Sequence, residues 1–225
     1  MLFASVERDA VRVSFSDLRR RRALPYNGAM TLHIYGDSRS GNCLKVKWTA
    51  EKLGMPYEWT EVDVLKGTTR KGDFLRMNPA GQVPTAVLDD GRILAQSNAI
   101  ILHLADGSNL IPKDAYDRAK MFEWLFWEQY SHEPYVAVAR FHRLLMGKGP
   151  DEIEARIMQR GEAALERMEL QLEQTPYLVK DALTLADVAL VAYTRVAHEG
   201  GFDLGKYPAI QAWVARVEAG LRITD

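Results

Sequence analysis

The chain has 225 residues, enough for one large domain or two small domains that share a core. It carries 29 Lys or Arg and 30 Asp or Glu, and this near-neutral charge gives no attraction for nucleic acid or an acidic membrane. No apolar run approaches the roughly 20 residues that span a bilayer, and the single cysteine, Cys43, excludes an internal disulfide. We therefore expect a cytoplasmic protein that binds neither nucleic acid nor membrane.

Residues 1–29 differ in texture from the rest of the chain. They contain four consecutive arginines at 19–22, lack regular apolar spacing, and are followed by Met30. We interpret them as a disordered tail or an over-extended start, with Met30 as the true first residue. The alternative is a targeting leader, and the acidic residues within the segment argue against a transit peptide.

The sequence from 31 to 107 mixes short strand-like runs with short helical patterns. The predicted elements are a strand at 32–35, a helix with an apolar face at 43, 46, 50 and 53 that ends at Gly54, a strand at 57–62, a short helix or turn at 70–77, strands at 85–88 and 92–95 around Asp89-Asp90-Gly91, and a helix at 99–105 capped by Ser97. This order predicts a small mixed sheet with helices on both faces.

The sequence from 108 to 225 is helical throughout. A long helix is predicted at 114–146 with a bend at Pro134, and a second helix at 152–174. Thr184-Leu-Ala-Asp187 resembles a capping box and precedes a very apolar helix at 188–197 that we expect to be buried on all sides. Pro208 is expected to begin the last helix.

Ser40-Gly-Asn-Cys43 lies where the first strand passes into the first helix. Thioredoxin-like proteins carry a redox Cys-x-x-Cys at this place, and here serine stands for the first cysteine. A serine hydroxyl cannot form a disulfide, but it can donate a hydrogen bond to the thiolate of another molecule, and the helix dipole favours an anion there. The residues alone leave the roles of both side chains open. Ser40 is either a plain helix cap or a hydrogen-bond donor to a thiolate, and Cys43 is either a packing residue or a redox thiol.

Four motifs in this order resemble the cytosolic glutathione transferases, in particular their serine-type, theta-like and bacterial members. The motifs are Tyr35-Gly-Asp-Ser-Arg-Ser-Gly-Asn-Cys43, Asn78-Pro-Ala-Gly-Gln-Val-Pro84, Gln96-Ser97 and Thr184-Leu-Ala-Asp187. The resemblance implies an α+β thioredoxin-like glutathione-binding domain at 30–107, followed by an all-α domain at 108–225. It also implies a cytoplasmic homodimer.

The resemblance further implies a detoxifying transferase that conjugates the glutathione thiolate to a small hydrophobic electrophile. Glutathione is then a co-substrate, and we expect no metal, since the five histidines have no spacing typical of metal ligands. A free thiol of this kind has a pKa near 8.5, so lowering it by two units requires roughly 2.7 kcal/mol of preferential stabilisation of the thiolate. One charge-assisted hydrogen bond and a helix dipole supply energy of that order.

The matched motifs assign site residues to this sequence. The catalytic hydroxyl is Ser40, with Ser38 as a rival donor. The residues expected to bind glutathione are Asn42, Gln82, Val83, Pro84, Gln96 and Ser97, with the Val83–Pro84 bond expected to be cis. Residues that could line the electrophile pocket are Trp124, Trp127, Tyr130 and Arg140, although the three aromatics also suit core or dimer packing.

Two features keep other functions open. Many theta-like members carry histidine or glutamine at Thr69 and histidine at Gly81, where they contact the glycine end of glutathione. This chain departs from that pattern, and Arg70 or Lys71 is either an electrostatic replacement or a solvated surface charge. Asn42 matches an asparagine of a bacterial branch that reduces disulfides. The alternatives are therefore a glutathione-dependent disulfide or peroxide reductase, and a non-catalytic glutathione-binding scaffold.

Overall fold

The computed structural model describes residues 32–224, so the predictions for residues 1–29 lie outside the described part. A four-stranded mixed sheet forms the centre of the N-terminal half. Its strands are β1 (Leu32–Gly36), β2 (Tyr57–Glu61), β3 (Thr85–Val87) and β4 (Ile93–Ala95). Their order is β2-β1-β3-β4, with β1 parallel to β2 and antiparallel to β3, and β3 antiparallel to β4.

Three helices accompany this sheet: α1 (Gly41–Lys52), α2 (Gly72–Met77) and α3 (Ser97–Leu104). Helix α1 connects the parallel strands as a crossover, which is the connection that a parallel pair requires. The prediction that Ser97 caps α3 is wrong. Gln96 holds the N-cap position in a left-handed backbone conformation with φ of 70°, and Ser97 is the first helical residue.

Five helices form the C-terminal half. They are α4 (Ala115–Trp127), α5 (Glu133–Arg140), α6 (Ala155–Leu172), α7 (Leu185–Thr194) and α8 (Pro208–Leu221). No strand lies between residues 108 and 224. The predicted fold class, a thioredoxin-like domain followed by an all-helical domain, is confirmed. No helix within residues 32–224 is long and apolar enough to cross a membrane.

The long helix predicted at 114–146 is divided into segments. Helices α4 and α5 are joined by a π-helical segment, Glu128–His132, and a second π-helical segment, Phe141–Leu145, follows α5. Pro134 lies in the first turn of α5. Because proline has no N–H to donate to the preceding turn, the regular α-helical hydrogen-bond pattern cannot continue through it. The pattern changes to π-helical before Pro134, whereas the sequence predicted a bend at this residue.

Helix α7 is the centre of the core, and every one of its ten residues is buried. It begins at Leu185 rather than 188, because Thr184 and Asp187 form the predicted capping box. The hydrophobic core around α7 is continuous with residues of the sheet and α1, including Ile34, Val46 and Ala86. The two halves therefore share one core, and the loop after β1 lies against the helical half.

Candidate active site

Ser40 occupies the N-cap position of α1, but its hydroxyl does not cap the helix. The side chain instead faces the Cys43 thiol and the hydroxyl of Tyr193 on α7, and its interaction with each group acts to lower the pKa of that group. The backbone of the same turn is fixed by the Ser40 N–H, which donates to the Asp37 carbonyl at 2.9 Å. The hydroxyl is thus held at the junction of the two domains rather than used to satisfy α1.

Arg39 and its partners hold the loop that carries Ser40. The Arg39 guanidinium pairs with Asp37 at 2.7 Å and with Asp63 at 3.0 Å. Burial acts to raise the pKa of Asp37, but hydrogen bonds from Arg39 and Val64 outweigh it, and the net shift is downward. Arg140 of α5 donates to the Arg39 carbonyl at 2.7 Å, which ties the loop to the helical domain.

The rival hydroxyl and the cysteine have other surroundings. Ser38 is exposed, and its backbone N–H and hydroxyl both donate to Glu61 Oε1, at 2.9 and 3.1 Å. Cys43 is completely buried and accepts a hydrogen bond from the Asp37 N–H at 3.4 Å. Burial raises the pKa of the Cys43 thiol to about 12, so the thiol stays protonated and packs as a small apolar side chain.

An open cleft of about 530 Å³ lies between the sheet domain and α5. All six residues assigned to glutathione from the sequence line this cleft; they are Asn42, Gln82, Val83, Pro84, Gln96 and Ser97. The Val83–Pro84 peptide bond is cis. The loop before it is fixed by the Asn78 amide, which donates to the Gln82 carbonyl at 2.8 Å and to the Thr85 hydroxyl at 3.1 Å. The structure brings these residues together, and their role in binding stays a prediction.

The side chain of Asn42 connects three helices beneath the cleft. Its Oδ1 accepts from Lys45 Nζ at 2.8 Å and from the Ser97 hydroxyl at 3.0 Å, and its Nδ2 donates to Glu133 Oε1 at 3.3 Å. Both ends of the amide are therefore engaged. The backbone N–H of Asn42 also donates to the Tyr193 hydroxyl at 3.3 Å. This arrangement fixes one wall of the cleft to the helical domain.

Lys45 and Glu128 form an ion pair at 2.8 Å in which both side chains are fully buried. Glu128 also accepts hydrogen bonds from Asn98 at 3.1 Å and from Gln129 at 2.8 Å. Burial acts to raise the pKa of Glu128, but the charge of Lys45 and the hydrogen bonds from Gln129 and Lys45 outweigh it and lower the pKa. The pair joins α1 to the segment after α4 and holds the amide of Asn42.

A smaller cleft of about 170 Å³ adjoins the first, and Ser40 lines it. Val64, Val83 and Phe141 line both clefts, so the two spaces meet at these residues. Besides Ser40, the other lining residues are three apolar or aromatic residues, Ala137, Leu145 and Tyr193, and three charged residues, Asp37, Arg39 and Arg140. A group bound in the large cleft can therefore extend towards Ser40 and into a partly apolar space.

Of the four residues considered for an electrophile pocket, Arg140 lines the small cleft. Trp124, Trp127 and Tyr130 line neither cleft in this chain. Trp124 is 2% exposed and lies in the core, whereas Tyr130 is 83% exposed on the outer surface. The small cleft is bordered by α5 and the segment after it, whereas the three aromatics come before both segments in the chain.

Thr69, Arg70 and Gly81 lie along the large cleft, and Lys71 does not. Gly81 has a φ of 60°, and a Cβ there would meet an Arg70 nitrogen at 2.9 Å. Arg70 donates to the Ala80 carbonyl at 3.2 Å. The guanidinium of Arg70 thus occupies the space where the sequence resemblance suggests a histidine side chain.

Sequence reasoning missed four residues of this region: Lys45, Glu128, Glu133 and Tyr193. Two of them carry a signal that could have been used. Lys45 is next to Val46 of the apolar face of its helix, and Glu128 interrupts an aromatic-rich segment. Charged residues are seldom fully buried unless they are paired. Which charge pairs with which is a property of the folded chain, and no spacing in the sequence reveals it.

Comparisons with known proteins agree with this geometry. The family model for the glutathione S-transferase N-terminal domain matches residues 39–106, and that for the C-terminal domain matches residues 130–220. The chain is 30% identical to glutathione S-transferase 3 of Zea mays over 201 residues, which cover 84% of this chain and 89% of that protein. It is 31% identical to glutathione S-transferase theta-1 of Mus musculus over 205 residues, which cover 85% and 84% of the two chains.

Solved structures give the same result. A glutathione S-transferase from Pseudomonas fluorescens Pf-5 superposes with a TM-score of 0.83 at 49% identity, over 86% of this chain and 98% of that one. A possible glutathione S-transferase from Rhodopseudomonas palustris has a TM-score of 0.81 at 41% identity, over 86% and 99% of the two chains. The chain with the buried Lys45–Glu128 pair and the two adjoining clefts therefore belongs to the glutathione S-transferase family.

Proposed function

We propose that this protein is a serine-type glutathione transferase, in which Ser40 stabilises the glutathione thiolate for attack on a hydrophobic electrophile. One observation carries the proposal. The six residues expected to bind glutathione share the large cleft, and Ser40 lines the small cleft that meets it at Val83. The chain is almost equally identical to the mouse theta-1 relative, at 31%, and to the maize relative, at 30%, so sequence identity does not select one subgroup. The serine-type assignment therefore rests on Ser40 itself.

The large cleft offers complementary groups to each part of the tripeptide. Ser97 begins the eight-residue helix α3, whose free N–H groups favour a carboxylate, and it suits the γ-glutamyl carboxylate. The backbone of Val83 can pair with the cysteinyl residue in the manner of an added strand. Arg70 is the cation for the glycine carboxylate, in the place that Gly81 leaves free.

The Ser40 hydroxyl is prepared to donate to a sulfur atom. Tyr193 lines the same small cleft and interacts with Ser40, so its hydroxyl can donate to the Ser40 oxygen while the Ser40 proton points to the sulfur. Burial raises the pKa of Tyr193 well above its usual value, so this phenol stays protonated as a donor. The electrophile then occupies the small cleft, where Ala137, Phe141 and Leu145 provide apolar contacts.

The proposed function is tested with Ser40→Ala and, as a matched variant, Ser38→Ala. We expect Ser40→Ala to lower kcat/KM for a chlorinated aromatic by about 100-fold, equivalent to about 2.7 kcal/mol. The absorbance of the bound thiolate should show its pKa rising by about two units. Ser38→Ala removes the same atom from a side chain that bonds Glu61, and its activity should change by less than about twofold.

Three results would contradict this proposal in different ways. If the wild type does not bind glutathione, the assignment of the large cleft is wrong. If it binds glutathione but transfers it to no electrophile, the scaffold alternative is favoured. If a mixed disulfide of glutathione is the preferred substrate, the reductase alternative is favoured, although the Asn42 amide is already engaged by Lys45, Ser97 and Glu133.

A homodimer in the cytoplasm remains part of the proposal. Tyr116, Phe126 and Tyr130 are large hydrophobic side chains on and just after α4, and they are 69%, 72% and 83% exposed in the single chain. Large apolar side chains that are exposed along one helical segment suit association with another protein surface. Sedimentation of the purified protein measures the state directly, and a monomer at micromolar concentration would contradict this part.

A further inference from the structure

The large cleft has an uneven distribution of charge. Two of its lining residues are charged, Arg70 from the sheet domain and Glu133 from the first turn of α5. Arg70 lies beside Ala80 and Gly81, whereas Glu133 lies beside Asn42. A ligand that matched both would carry an anionic group near Gly81 and a cationic group near Asn42.

We propose that Glu133 binds the α-ammonium group of the γ-glutamyl residue of glutathione and thereby selects thiol ligands that carry a free amino group. The inference rests on the proposed function, because it concerns the same ligand in the same cleft. It assigns to the helical domain a negative charge that the sheet-domain residues lining the large cleft do not provide, since Gln96 is neutral.

The positions of the hydrogen-bonding groups carry this assignment. The Ser97 hydroxyl donates to Asn42 Oδ1 at 3.0 Å, and Asn42 Nδ2 donates to Glu133 Oε1 at 3.3 Å. Ser97 and Glu133 therefore flank the same amide. In an α-amino acid the carboxylate and the ammonium group are attached to the same α-carbon. A carboxylate held at Ser97 therefore brings its ammonium group towards Glu133. The ammonium then meets the opposite charge of Glu133, and the carboxylate meets the N-terminal end of α3 at Ser97.

The surroundings of Glu133 leave acceptor capacity for a ligand. Within residues 32–224, its carboxylate accepts one side-chain hydrogen bond, from Asn42, although an ionised carboxylate offers about four acceptor positions. Burial and then the charge of Glu128 raise the pKa of Glu133, and Lys45 and Asn42 act in the opposite direction. A half-buried carboxylate with few partners is unfavourable. An ammonium group arriving in the cleft relieves that cost.

A purely structural role is the alternative, since Glu133 also orients Asn42. The test therefore compares two ligands. Glutathione and glutaryl-cysteinyl-glycine differ only in the α-amino group, which is replaced by hydrogen in the second. Calorimetric titration measures both ligands with the wild type, Glu133→Gln, Glu133→Asp and Glu123→Gln. Glu123 is an exposed residue of α4 that pairs with Lys120, so its variant controls for the loss of one negative charge.

We expect the wild type to bind glutathione about tenfold more tightly than the analogue, and Glu133→Gln to bind both ligands equally. Glu133→Asp keeps the charge and should retain part of the preference, and Glu123→Gln should match the wild type. Equal losses for both ligands in Glu133→Gln, or an unchanged preference, would overturn the inference and leave the proposed function intact. Failure of the wild type to bind glutathione would overturn both.

Discussion

Among residues 32–224, two carboxylate side chains have no exposed surface, Glu128 and Asp187, and they are satisfied in opposite ways. Asp187, in the first turn of α7, accepts hydrogen bonds from the N–H groups of Leu178 and Thr184, the Thr184 hydroxyl and the Trp213 indole, at 2.8–3.0 Å. No ion pair within residues 32–224 involves it. Glu128 instead lies against the cation of Lys45, which belongs to the other domain.

The difference appears in the pKa of each carboxyl. Burial raises the pKa of Asp187, and its hydrogen bonds offset that effect only in part. Burial acts in the same direction on Glu128, but the Lys45 charge and the hydrogen bonds reverse the net shift. Dipoles therefore support a buried carboxylate at a local helix start, whereas the carboxylate at the domain junction depends on a full charge carried by a distant segment.

The junction also differs in its link to the candidate site. Lys45 donates to both Glu128 and Asn42, so the ion pair and the cleft wall share one ammonium group. The hydrogen-bond partners of Asp187 are Leu178, Thr184 and Trp213, and none of them lines either cleft. We expect damage at Asp187 to affect folding alone, and damage at Lys45 to affect folding and binding together.

The largest expected effect is that of Lys45→Met. This change leaves the Glu128 carboxylate buried without its cation, and removing one partner of such a pair costs about 3–5 kcal/mol. Urea unfolding monitored by tryptophan fluorescence measures the loss. The affinity for glutathione should fall as well, because the Asn42 amide loses its donor.

The double variant Lys45→Met, Glu128→Leu is the control for that result. Replacing both ions by apolar side chains removes the unpaired charge, so most of the lost stability should return. A loss below about 1 kcal/mol in the single variant would show that the pair does not hold the domains together.

The parts of the fold that could be predicted from the sequence are those fixed by neighbours in the chain. Thr184 and Asp187 are three residues apart, so their capping box is visible as a pattern. The start of α8 at Pro208 is visible for the same reason. The π-helical segments are different, because the sequence marks Pro134 but not which earlier residue absorbs the change.

The candidate site divides along the same line. The six cleft residues belong to short motifs that the family resemblance contains, and the structure brings all six to one cleft. Lys45 and Glu128 are 83 residues apart, and Asn42 and Tyr193 are 151 apart. Contacts at such separations depend on how the helical domain docks, and periodicity within either segment carries no information about it.

The second effect in size concerns pH and His132, which lies beside Glu128. His132 is completely buried, and its Nε2 lies 3.0 Å from the Thr194 hydroxyl. Burial lowers the pKa of His132 to about 4; the Glu128 charge opposes this shift and the Lys45 charge adds to it. Between about pH 6.5 and 4 the unfolded chain therefore binds a proton that the folded chain does not, so stability falls with pH, by a total of the order of 3 kcal/mol.

Urea unfolding from pH 7.5 to 4.5 in the wild type and His132→Gln measures this contribution. Glu128 and Asp187 titrate in both proteins, and the raised pKa of Asp187 acts the other way, stabilising the fold as pH falls. The difference between the two pH profiles therefore isolates His132. Parallel profiles over this interval would contradict the assignment.

The smallest effect is expected for Asp187→Asn. The amide keeps the size of the side chain and one acceptor oxygen. Its NH₂ group, however, faces the Thr184 N–H and hydroxyl, which in the wild type donate hydrogen bonds to the second carboxylate oxygen. Leaving a buried donor without its acceptor costs about 1–3 kcal/mol, and the cost should be at the lower end because the charge is removed from a site that disfavours it. Urea unfolding at pH 7 gives the value.

The same variant tests whether the two buried carboxylates are separate in function. Glutathione affinity, corrected for the folded fraction, should be unchanged in Asp187→Asn, because its partners are confined to Leu178, Thr184 and Trp213. It should be weakened in Lys45→Met at equal folded fraction. If both variants weaken binding equally, α7 and the domain junction respond as one unit, and the contrast between local and long-range support does not extend to the cleft.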